Sequence, residues 1–212
     1  MADNVHKYGF RFFWNQSGGK TPPNPIEYRV ASAYASSEGS STPVLSIGDP
    51  VALTTDGTVI HAVDGGSPSQ IFGVIFGCRA AVDSNGRARP TSFVPRGQTY
   101  TLDKDATKVL VVPFGRHVWE VDVINAGSVD TYAEYEALNG ANCDFAYNPG
   151  TINGQTRANP VLDLTSPGSS TANFRIIRVS PTAENQDYSG ANVKLLVMAN
   201  EGQEPMLSTT GI

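Results

Sequence analysis

Few residues of this sequence have the types and spacing that chemistry needs. Gly19-Lys20-Thr21 matches the end of a phosphate-binding loop. However, Trp14 occupies the position of the loop's first glycine, and Pro22-Pro23 would block the helix whose N-terminus binds the phosphate. We therefore expect no nucleotide at this position.

The three histidines, His6, His61 and His117, belong to no metal-protease or hydrolase motif. His117 lies three residues before Glu120, close enough in sequence to suggest proton transfer. In a strand, residues three apart point to opposite faces. We expect a solvated or capped imidazole and no metal site.

The acidic residues likewise predict surface rather than catalysis. A glycosidase needs two carboxylates roughly 5–10 Å apart, and the acidic pairs closest in sequence are Glu134/Glu136 and Asp103/Asp105. The segment 83–86 lacks the remaining oxygen ligands of a calcium loop and is typical of a turn. We predict no enzymatic activity, no small-molecule substrate and no cofactor.

Cysteine use and net charge exclude further classes of function. Cys78 and Cys143 are far apart and have no zinc-ligand spacing, so we expect two buried apolar thiols. The net charge of −5 and the scattered basic residues argue against binding duplex nucleic acid. Loop arginines could bind a single strand, but in an acidic protein we expect them to pair with protein carboxylates. These are Arg79, Arg87, Arg89 and Arg96.

No window approaches the roughly 18 apolar residues of a membrane span, and no basic and apolar leader is present at the N-terminus. We therefore expect no membrane partner. The expected location is a cytoplasm, or a particle assembled there.

The composition predicts an all-β protein, because glycines (21) and prolines (14) are plentiful and charged residues make up only 17%. The longest β-branched tract, KVLVVPFGRHVWEVDV, occupies residues 108–123. Its alternation places Trp119, Val121 and Val123 on one sheet face and the two intervening acidic residues on the other. The corner at Pro113-Phe114-Gly115 predicts the end of one β module and the start of another.

Further patterns predict local structure on either side of that corner. Asp56-Gly57 between apolar runs predicts a hairpin. Gly73 inside an apolar strand predicts the close approach of another backbone or ring. Residues 132–138 have helical propensity, and segments 174–179 and 193–198 are typical of strands.

The N-terminal 43 residues are different in composition, with crowded aromatic side chains followed by prolines at 22, 23 and 25. Either the aromatics pack on their own domain as a first strand, or they belong to an arm that binds a neighbouring subunit. The predicted partner-binding residues are Tyr8, Phe10, Phe12, Phe13, Trp14 and Tyr28. The predicted organisation is an extended N-terminal arm (1–43), two small β-barrel or β-sandwich modules (44–113 and 114–202) and a mobile tail (203–212).

Short motifs in the first module resemble the small β modules of tailed-bacteriophage head decoration proteins. They are Gly48-Asp49-Pro50-Val51, Asp56-Gly57-Thr58-Val59 and Ile71-Phe72-Gly73-Val74. Motifs in the second module resemble coat-stabilising, or cement, proteins of virions. They are 118–122, Leu162-Asp163, 174–179 and 192–197.

The resemblance implies a non-enzymatic homo-oligomer, most simply a trimer, bound to the major capsid protein on the outside of an icosahedral head. It would be assembled in the host cytoplasm. The main alternative is a tail-fibre or receptor-binding β module, which is also trimeric and would expose sugar-binding aromatics. A major coat protein is disfavoured by the chain's length and by the absence of a long helical pattern.

Overall fold

A computed structural model describes residues 9–15, 18–21, 23–31, 44–64, 71–78, 81–82, 88–89, 93–94, 108–152, 155–168, 172–183, 185–189 and 193–200. These residues are mostly in β-strands, with one short helix among them, so the all-β prediction is confirmed. In chain order the elements are β1 (Arg11–Asn15), β2 (Ile26–Arg29), β3 (Leu45–Ser46), β4 (Pro50–Leu53), β5 (Val59–His61), β6 (Gly73–Cys78), β7 (Ala81–Val82), β8 (Ala88–Arg89), β9 (Phe93–Val94), β10 (Lys108–Pro113), β11 (His117–Ile124), α1 (Tyr132–Ala137), β12 (Asn142–Tyr147), β13 (Gly150–Ile152), β14 (Gln155–Arg157), β15 (Pro160–Asp163), β16 (Phe174–Val179) and β17 (Lys194–Ala199).

The first large sheet has five strands in the order β2-β10-β6-β4-β5. A parallel bridge between Val30 and Val59 joins its two outer strands, and the Ala31 N–H donates to the Val59 carbonyl at 2.9 Å. The sheet is therefore a closed barrel, which satisfies strand edges that would otherwise be open. Its interior is apolar and consists of Leu45, Val51, Val59, Phe72, Ile75, Val94, Val109 and Val111.

The second large sheet has six strands in the order β1-β11-β15-β12-β16-β17, and β17 also pairs with β11. The long strand β11 makes this possible, because residues 119–122 pair with β17 while 123–124 pair with β15. Strand β1 adds to the start of β11. Trp119, Val121 and Val123 all lie in the apolar cluster, which confirms the predicted inward face of β11.

The apolar packing continues from one sheet to the other. The larger cluster includes Val74 and Val112 of the five-stranded sheet together with Trp119 of the six-stranded sheet. The Tyr147 hydroxyl also donates to the Ala62 carbonyl at 2.7 Å. The corner between β10 and β11 falls at the predicted module boundary, but the division into two modules remains a prediction.

Local chemistry explains two predicted features. The Asp56-Gly57 hairpin joins β4 to β5, and Gly57 has the positive φ (73°) that glycine tolerates. A Cβ on Gly73 would lie 2.5 Å from the Val112 carbonyl oxygen, so the predicted close approach is confirmed.

The predicted helical segment forms α1, which begins with a capping box. The Thr131 side chain accepts from the Glu134 N–H, and the Glu134 carboxylate accepts from the Thr131 N–H.

The extended N-terminal arm is not confirmed. The described residues between 9 and 31 supply β1 to one large sheet and β2 to the other. This segment can join the chain's own sheets because aromatic rings gain as much free energy from burial in their own core as from burial in a neighbouring subunit. Tyr8, residues 32–43 and the predicted tail at 203–212 lie outside the described residues.

Candidate functional site

Phe10, one of the predicted partner-binding residues, is part of the protein's own core. Its side chain is only 3% exposed. The ring stacks on Phe174 at 4.7 Å between centroids and meets Phe114 edge-on at 5.6 Å. As placed here, Phe10 cannot contact a partner without leaving the core.

Phe12 and Tyr28 also pack inward. The Phe12 ring meets Trp119 edge-on at 5.8 Å, and the Tyr28 ring meets Phe72 edge-on at 5.1 Å. Tyr8 lies outside the described residues, and Phe12, Phe13, Trp14 and Tyr28 all remain partly exposed.

An irregular register in β1 turns Trp14 towards the outer face of the sheet. Phe12 pairs with Trp119, whereas Trp14 pairs with Val118, so Phe13 is the extra residue of a bulge. Directly paired residues share a face. Trp14 therefore lies with Val118 on the face opposite Trp119.

Trp14 then reaches across that outer face to Arg178. Two strands, β11 and β17, separate β1 from β16, which corresponds to about 14 Å at the usual strand spacing. Nevertheless, the Arg178 guanidinium carbon lies 5.2 Å from the centre of the Trp14 ring. Val118 and Leu196, which pair with Trp14 and Arg178 in the strand register, are both buried.

The same surface continues onto helix α1. The pKa of Tyr132 is raised, chiefly because its hydroxyl donates to Glu136, and the nearby charge of Arg178 opposes that shift. Tyr132 is 47% exposed, and its ring lies 5.3 Å from that of Tyr188. We call the surface formed by Trp14, Tyr132, Arg175, Arg178 and Tyr188 the arginine-aromatic face.

Beside this face, two carboxylates are buried under side chains from other segments. Glu120 is only 2% exposed and accepts hydrogen bonds from Arg11 and from the Ser180 hydroxyl. Asp122 pairs across the strands with the equally buried Lys194. Burial raises the pKa of Asp122 to about 7, Glu120 contributes in the same direction, and Lys194 and Arg11 oppose the shift.

The connection between β16 and β17 covers these charges and is held by one amide. The Asn185 side chain donates to the carbonyls of Ser180 and Lys194 at 3.0 and 2.9 Å. Its oxygen accepts from the Lys194 N–H at 2.9 Å. The sequence shows only a long polar connection here, because nothing in its composition reveals that Asn185 is buried.

A second buried polar pair lies between the two large sheets. The Asp49 carboxylate accepts from the Ser46 N–H at 2.7 Å and contacts His61 Nε2 at 3.2 Å. Burial raises the pKa of Asp49, and the bond and charge of His61 oppose the shift. The His61 ring also packs edge-on against Tyr147 at 5.6 Å. Sequence spacing does not reveal this pair, because Asp49 and His61 are twelve positions apart and lie on either side of a hairpin.

Burial disfavours ionisation of the two cysteines and of His117. Burial raises the pKa of both Cys78 and Cys143 to about 12, so little thiolate forms at neutral pH. Burial lowers the pKa of His117, whose ring packs on Phe12 away from Glu120. In the described ranges, no three His, Cys, Asp or Glu side chains are placed to hold a metal ion.

Comparison with known proteins found no matching family, no matching curated protein and no matching solved structure. No helix in the described part of the chain has the length and apolar character needed to cross a membrane. The resemblance to head decoration proteins therefore stays a prediction that rests on the sequence motifs.

Proposed function

We propose that this chain is a structural protein of a tailed-bacteriophage virion. In this proposal it binds the outer surface of the head as a trimer and stabilises contacts between major capsid subunits. The observation that carries the proposal is the distribution of exposed apolar side chains on an otherwise well-closed β structure.

Among the described residues, four large apolar side chains are exposed on the five-stranded barrel and its connections. They are Ile26, Ile47, Val63 and Phe76. Ile47 and Phe76 are 44% and 42% exposed. Their chain segments are joined by backbone bonds, from the Gly48 N–H to the Ile75 carbonyl and from the Ile75 N–H to the Asp49 carbonyl, and we infer that the two side chains form an apolar pair on the surface. Adjacent apolar side chains on a surface are typical of a contact between proteins.

The polar interior supports the same proposal. Glu120 binds Arg11 and Ser180, and Asp49 binds Ser46 and contacts His61. Such bonds connect segments that are distant in sequence and leave these carboxylates committed to structure. A protein that acts through shape and contact area needs that rigidity.

Oligomeric state tests the first part of the proposal. Size-exclusion chromatography with light scattering should give three times 22.5 kDa. Phe76→Ser should shift the protein towards monomer, because Phe76 belongs to the apolar pair. Tyr132→Ser, which removes an equally exposed ring elsewhere, should leave the trimer unchanged. A wild-type monomer at micromolar concentration would contradict the trimer.

Binding to heads tests the second part. Purified protein should co-sediment with empty heads of the phage that carries this chain and should raise their resistance to heat. Electron microscopy of the complex would locate the bound copies. Heads that bind no protein at saturating concentration would refute the decoration role.

The alternative, a tail-fibre or receptor-binding module, is favoured by one observation, the exposed Tyr132 beside Tyr188. Aromatic rings on a surface suit sugar rings as well as proteins. This alternative predicts that the purified protein binds cell-surface glycans of the host and does not bind empty heads.

A further inference from the structure

We propose that the arginine-aromatic face is a docking site for a carboxylate-rich segment of a protein partner. The inference deepens the proposed function and rests on it, since the partner in question is the capsid surface. It rests equally on the chemistry of the face itself, which can be tested without heads.

Arg178 carries an exposed positive charge on this face. Its guanidinium is exposed and lies over the Trp14 ring. Within the described residues it forms no ion pair with a carboxylate. A guanidinium over a ring keeps its N–H groups free to bind a planar anion at its edge.

Arg175 lies on the same strand as Arg178. Arg175 and Arg178 are both exposed, whereas Phe174, Ile176 and Val179 point into the core. Arg175 donates from Nε to the neutral Asn142 side chain at 3.3 Å, which uses none of its charge. The bulge in β16 thus places two uncompensated arginines on the outer side of the strand.

Two other described cations are paired with carboxylates. Arg11 is neutralised by Glu120, and Lys108 is paired with Glu27 at 2.8 Å. The whole protein carries a net charge of −5. Arg175 and Arg178 lie on one strand, and neither has a carboxylate partner among the described residues. Two such charges on one face form a local field that attracts an acidic partner.

Aromatic rings lie close to Arg178. Trp14 lies under its guanidinium, Tyr132 is near enough to feel its charge, and Tyr188 packs beside Tyr132. Trp, Tyr and Arg are the residue types that contribute most to protein interfaces. Rings exclude water from a charged contact and so strengthen it. An extended segment with two or three Asp or Glu residues fits this combination.

Tryptophan fluorescence can measure binding at this face directly. The chain has two tryptophans, of which Trp119 is fully buried and Trp14 is partly exposed. Titration with poly-L-glutamate should therefore change the Trp14 emission and protect it from acrylamide quenching. Arg178→Gln should weaken this binding about tenfold, the loss expected when a charged interface contact is removed. Binding should also weaken as salt rises from 50 to about 300 mM, because the contact is exposed.

Arg29→Gln is the matched control, because Arg29 is equally exposed but lies on the five-stranded barrel. It should bind poly-L-glutamate like the wild type. Thermal unfolding of both variants would show that they remain folded. The proposal is overturned if poly-L-glutamate does not bind, if both variants lose binding equally, or if oligothymidylate binds and poly-L-glutamate does not.

Head binding separates this inference from the proposed function. Loss of head binding in Arg178→Glu but not in Arg29→Glu supports both. Heads that bind wild type and Arg178→Glu equally overturn the docking face and leave the decoration role. Binding of poly-L-glutamate without any binding to heads supports the face and overturns the decoration role.

Discussion

The Phe10→Ala substitution decides between a core strand and an arm. Phe10 is 3% exposed and contacts the rings of Phe174, Phe114 and Phe145 at 4.7, 5.6 and 6.5 Å between centroids. Truncation of a buried phenylalanine usually costs about 3–5 kcal/mol. We expect the upper half of that range, because three ring contacts are lost together and the surrounding strands limit collapse.

The free energy of unfolding should be measured by urea titration followed by fluorescence and circular dichroism. Phe13→Ala is the matched control, since Phe13 is half-buried in the bulge of β1 and should cost about 1 kcal/mol or less. If Phe10→Ala changes stability by no more than Phe13→Ala, the core placement of Phe10 is wrong. In that case a mobile N-terminal arm would account better for the aromatic cluster.

Three further predictions concern buried polar groups and close packing. Burial raises the pKa of Asp122 from 3.8 to about 7, so the folded protein holds this proton more tightly than the unfolded chain. The free energy of unfolding should therefore be highest below pH 4 and should fall by at most about 4 kcal/mol as the pH rises to 7. Asp122→Asn should flatten the pH dependence of urea unfolding between pH 5 and 8, and an unchanged profile would contradict this. Asn185→Ala should cost about 2–3 kcal/mol in the same assay, since the deletion removes three hydrogen bonds to buried backbone groups. Gly73→Ala should cost about 2 kcal/mol or more, because the added Cβ would meet backbone atoms. Gly77→Ala should cost less, because its Cβ would face only the flexible Leu110 side chain at 3.3 Å. Equal melting temperatures for the two variants would refute this contrast.

The parts of the fold that were predictable follow from local periodicity. Alternation alone identified the inward face of β11, which holds Trp119, Val121 and Val123. The Asp56-Gly57 hairpin and the contact at Gly73 follow from the backbone freedom of glycine. Each of these predictions needs only the residues within one or two strands.

The burial of Glu120 and Asp122 could not be predicted in the same way. Periodicity places Glu120 and Asp122 on the sheet face opposite Trp119, but it does not predict that a second layer covers that face. That layer includes Arg11 from β1 and Ser180 from the connection held by Asn185, both distant in sequence.

The N-terminal aromatics show a different limit. A cluster of large rings has the same composition whether it fills a core or an interface. The distinction depends on partners such as Phe174, more than 160 residues beyond Phe10, whose proximity no local pattern encodes. The bulge that separates Phe12 from Trp14 likewise depends on pairing with β11.

The pairing of β1 with β11 also delays the folding of β1 during synthesis. Arg11 precedes its partner Glu120 by 109 residues, so at roughly 5–20 residues per second the ribosome needs several seconds to supply the missing strand. During that interval the aromatic rings of β1 have no native surface to cover them. We therefore expect the protein to depend on chaperones, or to precipitate during rapid expression, because its first strand pairs with a strand that is synthesised much later.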